Sequence, residues 1–164
     1  PVLICANHNG IMDMFFIGYK IKRNIHYMAK EELFKIPLIG LIIKRLGAFP
    51  VRRGKGDVSS IKTVFRLLDE GKAVGIFPEG TRTNGKRKKD IKIKPGAAMI
   101  ALRTGVRVLP VAINGNYRLF SKVRVVFGKP FIIESEEDKK YRNSELIKIS
   151  EGIMKKVYSL LEEK

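Results

Sequence analysis

His8 and Asp13 stand five residues apart at the end of a short apolar run, in Ala6-Asn7-His8-Asn9-Gly10-Ile11-Met12-Asp13. An imidazole and a carboxylate at that spacing can handle a proton together if the chain folds back between them. Residues 2–6 are apolar and an Asn-His-Asn-Gly break follows, which predicts a buried strand ending in a turn. A helical pattern starts at Met12. With His8 in the turn and Asp13 in the first helical turn, the carboxylate reaches the ring. It would fix the tautomer and leave the other ring nitrogen open to a proton from a substrate hydroxyl. A lone histidine beside a turn is more often a hydrogen-bonded structural residue, so the pair needs support from elsewhere in the chain.

That support comes from three later stretches: Gly47-Ala48-Phe49-Pro50-Val51-Arg52-Arg53-Gly54, Phe77-Pro78-Glu79-Gly80-Thr81-Arg82-Thr83 and Val108-Leu109-Pro110-Val111. In this order and at these separations the four blocks resemble the glycerolipid acyltransferase family, and are most similar to its bacterial members that acylate lysophosphatidate. The resemblance runs from Asn7 to about Ile113. It implies transfer of a fatty acyl group from acyl-coenzyme A or acyl carrier protein to the free hydroxyl of 1-acyl-sn-glycerol-3-phosphate. Another lysophospholipid or glycerol-3-phosphate is the alternative acceptor.

Under that resemblance His8 is the general base and Asp13 its orienter. Arg53, with Arg52 beside it, and Arg82 are candidates for the acceptor phosphate, because a guanidinium presents paired donors that match phosphate oxygens. Glu79, Gly80 and Thr81 match the family's third block. There Gly80 lets backbone approach the ligand, and Glu79 orients an arginine or accepts a hydroxyl. Asn7 and Lys94 are secondary candidates on the substrate side. Leu109, Pro110 and Val111 match the fourth block, a wall of the acyl-chain groove. No serine lies in a nucleophile-elbow pattern, so direct attack by the acceptor is expected. Cys5, the sole cysteine, stands in an apolar strand without a basic neighbour and is expected to be an unreactive thiol. His26 alternates with apolar residues in a second strand pattern, which favours a structural role.

The 164 residues carry 33 lysines and arginines against 16 acidic residues, a formal charge of +17. Such an excess requires an anionic partner: nucleic acid, an anionic membrane surface or a phosphorylated substrate. A nucleic-acid module accounts for the charge and for the basic residues between Lys86 and Lys94, but no stacking aromatic is interleaved there. A scaffold that only binds anionic membranes is a further alternative. Two distant histidines and one cysteine give no plausible metal-ligand set, and phosphate-loop and dinucleotide glycine patterns are absent. No metal and no cofactor are expected beyond the acyl thioester as co-substrate.

The chain length fits one domain, taken as residues 1–164. Strand patterns at 25–29, 47–51, 73–77, 106–113 and 122–127 alternate with helical patterns, and 131–133 are a possible extension of the sheet. Together they predict an α/β sandwich with a mixed, mainly parallel sheet flanked by helices. His8, Arg53 and residues 79–82 then fall at strand ends, where such sheets build sites. Pro110 should sit at an edge or a bulge. Residues 31–46 are the most apolar helical stretch, divided at Pro37 and flanked by Lys35, Lys44 and Arg45. Such a helix is either internal or lies at an anionic bilayer interface. No apolar run approaches the roughly 20 residues of a membrane-spanning helix. The chain starts at Pro1 directly in a strand, and the family's hydrophobic N-terminal segment is expected to be missing. The expected location is the cytoplasmic face of a membrane, peripherally or through that segment.

Overall fold

Leu3, Ile4, Cys5 and Ala6 are all buried, so the first strand is covered on both faces and its unbroken apolar sequence follows from that. A computed structural model describes residues 1–51, 58–83, 90–115, 117 and 121–162. In chain order its elements are β1 (Val2–Ala6), α1 (Asp13–Lys20), β2 (Ile25–Lys30), α2 (Glu31–Phe34), α3 (Pro37–Arg45), β3 (Phe49–Val51), α4 (Val58–Asp69), β4 (Ala73–Ile76), α5 (Gly96–Thr104), β5 (Arg107–Asn114), β6 (Arg124–Phe127) and α6 (Asn143–Ser159). The six strands form one sheet of order β3-β2-β4-β1-β5-β6. All neighbours are parallel except β5 and β6. The α/β class and the mainly parallel sheet agree with the sequence reading.

Handedness distributes the helices. The chain moves from β1 to β2 in one direction across the sheet, then from β3 to β4 and from β4 to β5 in the other. Crossovers of a single hand must therefore put α1 on one face and α4 and α5 on the opposite one. The core obeys this. Leu3, Cys5, Val74, Ile76 and Val108 pack with Val64, Leu67, Leu68, Ile100 and Ile153 from α4, α5 and α6. Ile4, Ala6, Ala73, Val111 and Ile113 pack with Ile17 of α1 and with Ile25 and Tyr27.

Pro110 lies in an interior strand, between β1 and β6, and not at an edge. Cys5 is its partner on β1, and its carbonyl oxygen accepts the Gly128 N–H at 2.9 Å on the other side. Val111 pairs with Phe127, whereas Val108 bridges Phe131. Residues 128–130 thus face only Leu109 and Pro110, which is the bulge expected where a ladder donor is missing. Beyond that bridge, residues 132–133 add nothing to the sheet.

The apolar stretch at 31–46 divides into α2 and α3, with Pro37 in the first turn of α3 where its missing N–H costs nothing. Its internal placement is not what the structure shows. Only Gly40 and Ile43 of α3 are buried, and Leu38, Ile39, Leu41 and Ile42 are exposed. In α6 the buried stripe is Ser150, Ile153, Met154 and Val157. By sequence Asp57 or Ser59 could cap α4; Asp57 lies outside the described residues, and Ser59 falls inside the helix. His26 Nδ1 donates to the Gly47 carbonyl oxygen at 2.8 Å, a structural tie at the entrance to β3.

Tyr27 carries the one buried side-chain oxygen without a hydrogen-bond partner among the described residues. Its ring lies against Gly75, where a Cβ would come within 2.2 Å of Cε1. Removing an unsatisfied hydroxyl relieves its desolvation at little packing cost. Tyr27→Phe should hold or raise the unfolding free energy, by up to about 1 kcal/mol. A urea-unfolding midpoint clearly below that of the parent protein would show that the hydroxyl has a partner.

Candidate active site

Three strand ends build the site, at the carboxyl edge of the sheet where parallel folds place their ligands. β1 delivers the turn at 7–10, β4 the loop at 77–83, and β5 the backbone of Ile113. Asn7 joins the first to the third. Its Oδ1 accepts the Ile113 N–H at 2.7 Å, and its Nδ2 donates to the Ile113 carbonyl oxygen at 2.9 Å, so the side chain continues the β1–β5 ladder by one pair. Asn9 Nδ2 adds a bond to the same carbonyl at 3.0 Å. Both ends of the Asn7 side chain are thereby tied to the scaffold.

Asp13 closes the turn. Its Oδ2 accepts the His8 Nδ1–H at 2.6 Å, the Asn9 N–H at 2.7 Å and the Gly10 N–H at 2.9 Å, and its Oδ1 accepts the Tyr117 hydroxyl. An oxygen with three N–H donors can act only as an acceptor, so the ring nitrogen facing it carries the hydrogen. In the neutral ring the tautomer follows, with the lone pair on Nε2, which among the described residues has no hydrogen-bond partner. Asp13 is also the first residue of α1, whose amino end favours a negative charge. Gly10 is required by space, since a Cβ there would come within 2.3 Å of Tyr117 Cε2.

The His8 ring stacks on Phe77, centroids 4.2 Å apart and planes inclined by 17°. Its main chain is gripped at both ends. The His8 N–H donates to Glu79 Oε2 at 2.8 Å, and the His8 carbonyl oxygen accepts the Thr83 N–H at 2.8 Å and the Thr83 hydroxyl at 3.1 Å. Glu79 Oε1 accepts the Tyr158 hydroxyl of α6 at 2.6 Å. Glu79 is buried, and its carboxyl is pushed up chiefly by desolvation, with the donors from Tyr158, His8 and Thr83 pulling the other way. Among the described residues Glu79 therefore orients the histidine turn and accepts hydroxyls, and no arginine is its partner. Tyr117 and Tyr158 are both pushed up from the ordinary phenol range by burial and by the carboxylates they face, so they act as donors.

Of the other expected residues, Gly80 takes a positive φ of 67°, and the aliphatic stem of Lys94 crosses it. Thr81 and Arg82 follow on the exposed side of the loop. β3 ends at Val51 on the same edge of the sheet, but Arg52 and Arg53 lie outside the described residues. Val111 is fully buried beside Ala6, Pro110 is buried, and Leu109 is half-buried. Sequence reasoning missed Tyr117 and Tyr158. Tyr158 stands beside Val157 of the buried α6 stripe, and nothing in the spacing links it to Glu79. Among the described residues no cluster of His, Cys, Asp and Glu could hold a metal ion.

Residues 1–114 match the family described as Acyltransferase. The chain belongs to that family. It is 41% identical over 134 residues to a 1-acyl-sn-glycerol-3-phosphate acyltransferase of Bacillus subtilis, covering 78% of this chain and 65% of the relative. To an enzyme of the same name from Helicobacter pylori it is 32% identical over 121 residues, covering 73% and 51%. To a lyso-ornithine lipid O-acyltransferase of Pseudomonas aeruginosa it is 35% identical over 115 residues, covering 70% and 43%. The chain thus spans less than two thirds of the length of these relatives. The family match covers the histidine turn, the 77–83 loop and the whole of β5, and stops before Tyr117 and Tyr158.

Cys5 lies on the far side of the sheet from the His8 ring, packed with Leu3, Val64 and Leu68. Burial pushes its thiol far up from the ordinary range. The folded protein should therefore leave Cys5 unlabelled by a thiol-specific disulfide reagent at pH 8 and release one equivalent of label on unfolding. Rapid labelling of the folded state would place the thiol within reach of solvent and of an acyl donor.

Proposed function

We propose that this acyltransferase moves a fatty acyl group from a thioester to the free hydroxyl of 1-acyl-sn-glycerol-3-phosphate. The observation that carries the reading is the buried Asp13 carboxylate on His8 Nδ1, which leaves Nε2 as the proton acceptor in a side chain still 11% exposed. The names of the Bacillus and Helicobacter relatives support the choice of acceptor. An alcohol is too weak an acid to ionise in advance, so its proton leaves as its oxygen attacks the thioester carbonyl. Nε2 takes that proton, Asp13 stabilises the resulting imidazolium, and collapse of the tetrahedral intermediate expels a thiolate that recovers the proton. No group of the protein is acylated. Either acyl-coenzyme A or acyl carrier protein supplies the thioester.

Arg53, with Arg52 as neighbour, and Arg82 would hold the acceptor phosphate. Thr81 precedes Arg82 and the Lys94 stem crosses Gly80 in the same loop, and Leu109 would face the acyl chain with Pro110 and Val111 behind it. His8→Ala should lower turnover at least ~10²-fold and Asp13→Asn somewhat less. Arg53→Ala should raise the Michaelis constant of the phosphorylated acceptor more than that of the donor. The assay offers lysophosphatidate, glycerol-3-phosphate and lyso-ornithine lipid with both donor types, and mass spectrometry identifies the products. Near-parental turnover by His8→Ala would remove His8 as the base. Exclusive acylation of lyso-ornithine lipid would move the assignment to the acceptor named for the Pseudomonas relative.

We also place the protein at the cytoplasmic face of a membrane. Ile11, Met12, Phe15 and Tyr19 around α1, and Ile36, Leu38, Ile39, Leu41, Ile42 and Leu46 around α3, are exposed apolar residues. Exposed Lys35, Lys44 and Arg45 flank the second group, the pattern of an interfacial helix at an anionic surface. Among the described residues no helix is long and apolar enough to cross a bilayer. Vesicles containing phosphatidylglycerol should bind the protein better than neutral ones, more weakly as salt rises and more weakly again for folded Leu41→Ser/Ile42→Ser protein. Equal binding to neutral and anionic vesicles would refute the electrostatic part. Undiminished binding by the double variant would refute the part played by α3.

A further inference from the structure

The hydroxyl of Tyr158 reaches the histidine turn through one intermediary. It donates to Glu79 Oε1 at 2.6 Å, while Glu79 Oε2 receives the His8 N–H at 2.8 Å and, at 3.2 Å, shares the Thr83 hydroxyl hydrogen with the His8 carbonyl oxygen. A carboxylate is planar, so fixing one oxygen decides where the other points. With Oε1 on Tyr158, Oε2 is left aimed at the main chain of His8. Tyr158 is itself held by the packing of α6. Ile153, Met154 and Val157 are buried, and Ser150 Oγ accepts the Ala98 N–H of α5 at 3.1 Å. The alignment thus runs from a docked helix, through a phenol and a buried carboxylate, to the backbone that carries the imidazole.

Glu79 is only 1% exposed, so each of its donors offsets part of the cost of burying the charge. If the phenol hydroxyl is lost, Oε1 faces a site without a donor. The carboxylate can then turn about its Cγ–Cδ bond in search of another donor, or it can take up a proton. Either response loosens the grip on the His8 N–H. We infer that Tyr158 is a positioning residue for the acyl-transfer site, acting on His8 through Glu79 although it lies in α6, well beyond the part of the chain that matches the family.

This rests on the proposed function for its kinetic test but not for its structural one. Tyr158→Phe keeps the ring and removes only the hydroxyl. Amide hydrogen exchange at His8, followed by NMR on folded protein without substrate, should quicken about tenfold, in line with the loss of a bond to a charged group. The turnover number should fall about tenfold, with both Michaelis constants within about twofold of the parent values, because the reacting base and not the substrate grip is displaced. In a double-mutant cycle with Glu79→Gln, the combined variant should lose no more turnover than Glu79→Gln alone. Parental exchange at His8 in folded Tyr158→Phe, or turnover losses that multiply in the double variant, would overturn the inference. If the parent protein acylates none of the acceptors, the proposed function fails, and the exchange rate at His8 still decides the role of Tyr158.

Discussion

Asp13 Oδ2 is the point on which the site depends, because three N–H groups of one turn converge on that oxygen within 2.9 Å. Two of them are backbone donors of Asn9 and Gly10 that would otherwise be left without partners in a tight, enclosed turn. The third is the ring of His8. The bonds that fold the turn are therefore the bonds that set the tautomer, and the chain cannot form one arrangement without the other. Tyr117 adds a donor to the second carboxylate oxygen, and its ring fills the space beside Gly10 that any Cβ would occupy.

Around that point the protein places polar groups at the rim of an apolar sheet and ties the side chains of Asn7, Asp13 and Glu79 to definite partners. Asn7 extends the β1–β5 ladder where the strand itself has ended. Glu79 is the costly element, a buried carboxyl pushed above its ordinary range. The sign is that of a raised acid: charging Glu79 works against the fold, and the cost grows as pH rises through its raised value. The fold tolerates this because the same carboxylate receives donors from the histidine turn, from its own loop and from α6.

The surface shows a second balance. A chain with a formal charge of +17 leaves large apolar residues exposed on α1 and α3 while covering its sheet thoroughly with α4, α5 and α6. Exposed leucines and isoleucines at this density have a cost in water. Their basic neighbours are what the proposed anionic membrane surface would pair with.

Much of the site was legible because its determinants are local. The spacing of His8 and Asp13 spans one turn and the start of one helix, and the apolar run before it has to be a strand covered on both sides. Pro37 divides the apolar stretch by backbone chemistry alone. Pro110 needed a place without a ladder donor, which the sequence indicated without deciding that it would be a bulge beside an interior strand. What only the tertiary structure decided are the long-range partnerships. Glu79 turned toward His8 because β1 and β4 are neighbours in the sheet, a pairing that no periodicity encodes. Tyr158 met Glu79 because α6 docks on the face shared with α4 and α5, 79 residues away along the chain. Hydrogen bonds over such separations leave no pattern in composition or spacing, since each partner sees only an ordinary strand end or an ordinary helix face until the sheet brings them together.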